Sequence, residues 1–178
     1  MSLQSLVITT MLPVFIPLQF IGKSSNGFEI PITWQIPTII LLTLIFHKKV
    51  VFTAFSIYII LGLFIAPVFH QGGSIGYLLT PNFGYLLGLY PLIKIIDNLN
   101  TRNKINVGNI LKNGFIAIGA MHLTGIFYNF IQIIFYSQFN LFLYNLGKYS
   151  LGKIGYHFLM LFPLLLLIKP IERLKRSK

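Results

Sequence analysis

Eleven of the fourteen lysines and arginines fall in or beside every second break between apolar stretches, and this parity constrains the fold more than any other feature of the chain. A membrane-crossing helix needs about 20 mostly apolar residues, within a range of about 17–25. Six such stretches can be drawn, over residues 5–21, 32–46, 50–68, 81–96, 107–135 and 155–168. The second and last are short and draw on neighbouring polar residues. The fifth is long for one straight crossing, so part of it is expected at an interface. Lys48 and Lys49 follow the second stretch, and Lys94, Arg102, Lys104 and Lys112 surround the break after the fourth. Lys169, Arg173, Lys175, Arg176 and Lys178 follow the sixth, which leaves Lys23, Lys148 and Lys153 for the other breaks. The positive-inside rule then puts both termini in the cytoplasm, which requires an even number of crossings. The expectation is an all-α membrane protein: a six-helix transmembrane bundle forming one integral membrane domain over residues 1–178.

Composition supports that reading. Hydrophobic residues make up 55% of the chain and charged residues 10%, where a soluble domain carries about 25% charged residues. A net charge of +11 would suit nucleic acid. Its place beside apolar segments assigns it to the bilayer surface instead, and no nucleic-acid partner is expected. The opening MSLQSLVITTMLPVF has no base before its apolar run, so it reads as a retained segment, not a cleaved leader.

Enzyme chemistry has little to work with. The acids are Glu29, Asp97 and Glu172. Asp97 lies three residues after Lys94, and Glu172 three after Lys169, so both read as local ion pairs at helix ends. No Ser-His-Asp set, paired carboxylates or metal-ligand spacing appears, so neither catalysis nor a cofactor is expected. The absence of cysteine removes thiol chemistry. The stretch PLQFIGKSS ends like a phosphate-binding loop but has Pro17 where the first glycine must stand. Any energy for transport must therefore come from another protein or a gradient.

Ligand-binding signals lie on the face opposite the bases. The stretch APVFHQGGSIGYLLTPNFGYLLG, residues 66–88, breaks an apolar run with glycines and neutral amides. Gly72, Gly73 and Gly76 permit positive φ and close backbone approach. Phe69, Tyr77, Phe83 and Tyr85 offer flat apolar faces, and Gln71, Ser74 and Asn82 offer hydrogen bonds. This suits a small organic ligand with one flat part and a few polar atoms. A tight turn with interfacial tyrosines accounts for the same residues, and both readings stay open. In EIPITWQIP, Trp34 reads as an interfacial anchor or as a stacking surface, with Gln35 orienting a ligand beside it. In GAMHLTGIFYNFIQ, His122, Thr124, Tyr128, Asn129 and Gln132 are polar groups in an apolar helix. They face the bundle interior, bonding neighbouring helices or a ligand. His157 cannot be assigned from spacing. Gly84 and Gly88 form a GxxxG, read as packing within the monomer.

Tyr58 to Gly88, YIILGLFIAPVFHQGGSIGYLLTPNFGYLLG, resembles the signature region of BioY proteins. These are the biotin-binding membrane subunits (S components) of energy-coupling-factor transporters. IPITWQ, residues 30–35, is similar to that family's Val-Pro-Leu-Thr-x-Gln, and length and hydropathy match its six-helix subunit. The resemblance implies capture of biotin, or a biotin-like small molecule, at the outer face of a bacterial inner (plasma) membrane. It also implies energising partners, namely a coupling membrane protein and two ATPase subunits. Biotin would be a transported ligand and not a cofactor. Its site would be built by Trp34, Gln35, Phe69, Gly72, Gly73, Tyr77, Asn82, Tyr85, Tyr128 and Asn129. Family members carry Pro-x-x-Asp-x-x-Lys on the last helix, and GYHFLMLFPLLLLIKP, residues 155–170, has no aspartate. A ligand carboxylate would fall to Lys148, Lys153, His70 or backbone N–H groups. The first helix also holds Ser5, Thr9 and Pro13 where the family shows small-residue spacing against the coupling protein. Two rival readings remain: a related subunit with a changed or lost ligand, and a small structural membrane subunit.

Overall fold

The computed structural model describes residues 2–16, 28–69, 72–102, 106–136, 139–167 and 170. Lys23, His70, Gln71, Lys104, Lys169, Glu172 and the P-loop-like residues from Pro17 lie outside them. Helices α1 (Ser2–Met11), α2 (Gln35–Ile45) and α3 (Lys48–Phe64) come first. α4 (Pro81–Leu87) and α5 (Leu89–Arg102) follow, then α6 (Val107–Tyr136), α7 (Phe139–Asn145), α8 (Gly152–Leu159) and α9 (Leu161–Leu165). α4 and α5 join through Gly88, which keeps helical dihedrals. α7, α8 and α9 join through a π-helical turn (Leu146–Leu151) and Met160. The helical pieces thus form six rods. α6 packs against α4 and α5 as the central pair of contacts, around a core that includes Phe55, Leu92, Ile93, Ile96 and Ile118. Val107–Ile134 of α6 is, among the described residues, the helix long and apolar enough to cross a bilayer by itself.

Three differences from the hydropathy reading have physical causes. The helix expected over 5–21 stops at Met11. Pro13 cannot donate the next helical hydrogen bond and its ring collides with the preceding turn. The β-branched and aromatic residues that follow suit an extended strand. Strand β1 (Pro13–Ile16) therefore pairs antiparallel with β2 (Phe28–Thr33), with Val14 opposite Ile30 and Phe15 opposite Glu29. As a result Ile32 and Thr33 are strand, and the second helix begins at Gln35. The sixth rod, expected over 155–168, begins at Phe139. Its first half looks like a loop by polarity because tyrosines, lysines and glycines alternate there, yet they continue the helix through the π turn.

Asp97 pairs with Lys48 of α3 at 3.2 Å, not with Lys94 as local spacing suggested. Asp97 is nearly buried and Lys48 is 40% exposed, so solvent weakens the pair. A double-mutant cycle of Lys48→Met and Asp97→Asn is expected to give a coupling of about 1 kcal/mol. The same cycle with Lys94→Met should give none. The GxxxG glycines pack inside the monomer as expected. A methyl on Gly84 would strike the Tyr128 ring, and one on Gly88 would lie 2.5 Å from the Met121 carbonyl oxygen.

Candidate functional site: an aromatic cavity between α2, α4 and α8

The chain leaves α3 at Phe64 and folds Phe69 back against its own helix, where Gly62 leaves room for the ring. Phe69 and Gly72 exchange backbone hydrogen bonds of 2.9 and 3.0 Å. That closure needs φ +111° at Gly72, where glycine alone carries no steric penalty. Gly73 lies against the Gly62 carbonyl and Pro67, leaving no space for a side chain. A 3₁₀ turn (Ile75–Leu79) then leads to Pro81, the first residue of α4. The turn is held to α6 by Tyr128, whose hydroxyl donates to the Leu78 carbonyl, and by Gln132, which donates to Leu79 at 3.0 Å.

This loop roofs a cavity of about 110 Å³. Gln35, Phe69, Tyr77, Asn82 and Tyr85 line it, five of the residues singled out from the sequence. Tyr58, Met121, Tyr149, Lys153 and His157 complete its functional lining, with Ile32, Thr33, Ile36, Leu86 and Leu89 as apolar wall. Phe69 stands edge-on to Tyr58 at 5.3 Å and tilted to Tyr77 at 4.6 Å. Such pairs contribute about 0.5–1.5 kcal/mol each beyond burial, so the aromatic wall is set before a ligand arrives. Gln35 lies beside the Tyr58 hydroxyl, yet its Nε2 is buried with no hydrogen-bond partner among the described residues. Lys153 is half-buried and places its ammonium 5.3 Å from the centre of the Tyr149 ring. Among the described residues no carboxylate lines the cavity. No group of three metal-ligating side chains gathers among them either.

The other sequence candidates stand elsewhere. Trp34 precedes α2 and packs with Val14, Ile32 and Met160. Gly72 and Gly73 shape the roof without lining the cavity. Tyr128 is spent on Leu78. Asn129 borders a second, smaller cavity with Gln132 and Asn145, and both of its amide atoms lack hydrogen-bond partners among the described residues. Height along the helix is the reason: the α6 residue that lines the cavity is Met121, and Asn129 lies about two turns, roughly 12 Å, further along the same helix.

Spacing could have revealed Tyr149, Lys153 and His157, because steps of four place them on one face of a helix. Reading the segment as a connection hid that signal. The Asp-x-x-Lys spacing expected over 155–170 is met upstream, with serine for aspartate, by Ser150 and Lys153. Lys153 reaches the cavity, and Ser150 bonds the cavity residue Tyr85 at 2.8 Å.

The model of the BioY family matches residues 2–162. The chain belongs to the BioY family. A relative from Lysinibacillus sphaericus described as a probable biotin transporter BioY is 42% identical over 98 residues. That match takes in 52% of this chain and 49% of the relative, so the chain spans about half the length of the curated relative it matches. Among solved structures, the S component for biotin from an ECF-type ABC transporter superposes with a TM-score of 0.66 at 18% identity. The superposition covers 98% of this chain and 87% of that one. This BioY-family chain therefore has the all-α fold of such a subunit, and it is a membrane protein.

Proposed function

We propose that this BioY-family chain is the substrate-capture subunit of an energy-coupling-factor transporter. It takes up biotin or a close analogue and performs no reaction on it. All 178 residues form one domain that crosses a bacterial plasma membrane six times with both termini cytoplasmic. The cavity opens to the outside beneath the loop of Phe69 and Tyr77. Energy is supplied by a coupling membrane protein and two ATPase subunits, in keeping with the missing phosphate-binding loop.

The observation that carries this reading is the lining itself: an aromatic wall, a buried amide nitrogen (Gln35 Nε2) without a partner among the described residues, and one ammonium in the same cavity. Phe69, Tyr77 and Tyr85 would sandwich a bicyclic ring. Gln35 and Asn82 would bond a ureido group, since an amide side chain offers donor and acceptor together. The Gln35 Nε2 is a donor already desolvated, so a ligand carbonyl meets it without further cost. Lys153 would take an oxygen acceptor of the ligand. Trp34, Gly72, Gly73, Tyr128 and Asn129 support these residues from behind.

Calorimetric titration of the purified protein with biotin is expected to give saturable one-to-one binding. Gln35→Leu is expected to weaken it about tenfold, the value of one neutral hydrogen bond. Absence of saturation with biotin, together with saturation by another vitamin in a thermal-shift panel, would remove the substrate and leave the capture role. Saturation by no vitamin would favour a structural subunit.

A further inference from the structure

Behind the cavity wall, four side chains from four elements form one hydrogen-bonded chain. Tyr85 of α4 meets Ser150 of the π turn at 2.8 Å. The Ser150 hydroxyl meets His122 Nδ1 of α6 at 3.2 Å. His122 Nε2 meets His157 Nδ1 of α8 at 2.9 Å. Ser150 and His122 are buried, each 2% exposed. The two ends, Tyr85 and His157, both line the cavity.

The protons of this chain can be counted. A neutral imidazole has one N–H and one bare nitrogen, and each hydroxyl has one proton. A charged imidazole here would stand beside Lys153 with no carboxylate among the described lining residues to balance it. In one arrangement Tyr85 donates to Ser150, Ser150 to His122 Nδ1, and His122 Nε2 to His157. The free nitrogen of His157 then carries a proton, and Tyr85 turns a lone pair outward. In the other arrangement every bond reverses, so Tyr85 turns out its proton and His157 a bare nitrogen. Mixed arrangements fail at Ser150. Accepting from both neighbours strands its own proton in a buried place, at a cost of about 1–3 kcal/mol. Donating to both needs two protons.

We infer that Tyr85, Ser150, His122 and His157 form a two-state hydrogen-bond relay that keeps Tyr85 and His157 opposite in sense, one donor and one acceptor. Such a wall fits a ligand bearing an N–H and a C=O together, as in a cyclic amide or urea. It serves a carboxylate, which only accepts, at one end alone. Asn129, beside the Tyr85 hydroxyl but outside hydrogen-bond geometry, can follow either sense by turning its amide. The ligand part of this inference rests on the proposed capture role; the relay itself does not.

The bond from His122 Nε2 to His157 Nδ1 requires both rings to carry the same tautomer, either both protonated at Nε2 or both at Nδ1. Ring-nitrogen NMR of the histidine-labelled, ligand-free protein in nanodiscs at neutral pH measures this directly. The expected result is matching tautomers, or matching populations if the chain exchanges. Tyr85→Phe leaves His122 as the remaining side-chain partner of Ser150 among the described residues, so Ser150 donates and both rings lock in the Nε2–H form. Adding biotin to the wild type should move both rings together. Opposite tautomers, an imidazolium, or Nδ1–H rings in Tyr85→Phe would overturn the relay. If biotin fails to bind while the ligand-free rings match, the capture role loses its substrate and the relay stands.

Discussion

Lys153→Met is expected to lower biotin affinity about 10–100-fold while leaving the thermal midpoint of the ligand-free protein unchanged. Lys153 has no acidic partner among the described residues, and its stem runs along the cavity wall beside Tyr149. Methionine keeps most of that apolar contact and removes the charge. A hydrogen bond from a charged donor is worth about 1.5–3 kcal/mol, and each 1.4 kcal/mol is about a factor of ten in affinity. Titration calorimetry reads the loss, and a melting curve without ligand reads the fold. Wild-type affinity in Lys153→Met would mean that the ammonium points past the ligand and that Gln35 and the aromatic wall suffice.

Gly88→Val is expected to destabilise the bundle by about 3 kcal/mol, the upper end of the usual cost of overpacking. Gly88 sits where α4 passes into α5, and α6 crosses it there. An added Cβ would lie 2.9 Å from the flexible Met121 Cγ and would also press on two fixed atoms, the Met121 carbonyl oxygen at 2.5 Å and the Met121 Cα at 3.0 Å. Both fixed atoms belong to the backbone of the longest helix, so relief requires moving α6 away from α4 and α5. That movement would also shift Met121 at the cavity and His122 behind its wall. Gly119→Ala is the control: it lies on the same α6, and an added Cβ there meets nothing within 4 Å. Alanine is the better helix former by up to about 1 kcal/mol, so this variant should be no less stable than wild type. Thermal unfolding followed by helical signal in one detergent compares the three proteins. Equal midpoints for Gly88→Val and wild type would show that the contact between α4 and α6 is looser than its spacing implies.

The sequence exposed one half of the site and hid the other. Phe69, Tyr77, Asn82 and Tyr85 were readable because turn chemistry at residues 66–88 is local: glycine, proline and amides specify a bend within a few residues. Gln35 was readable from its place at the start of the second helix. Tyr149 and Lys153 were hidden because tyrosine, lysine and glycine in alternation look like a solvated connection until the helix is known to continue through it, and without them His157, inside the expected sixth stretch, had no companions on its face. Tyr128 and Asn129 were readable as inward-facing polar residues. Their partners, a loop carbonyl and a second cavity, were not.

By itself the sequence determined the apolar segments, the turn between the third and fourth, and the scarcity of acids that leaves the cavity without a negative charge among its described residues. These are properties of single residues and their near neighbours, and they survive any rearrangement of the helices. The tertiary structure alone decided that Asp97 meets Lys48, that the strand from Pro13 pairs with Phe28–Thr33, and that a serine links a tyrosine to two histidines across four elements. Those pairings depend on the rotation and height of each rod. These follow from where glycines let backbones touch and where large side chains hold them apart.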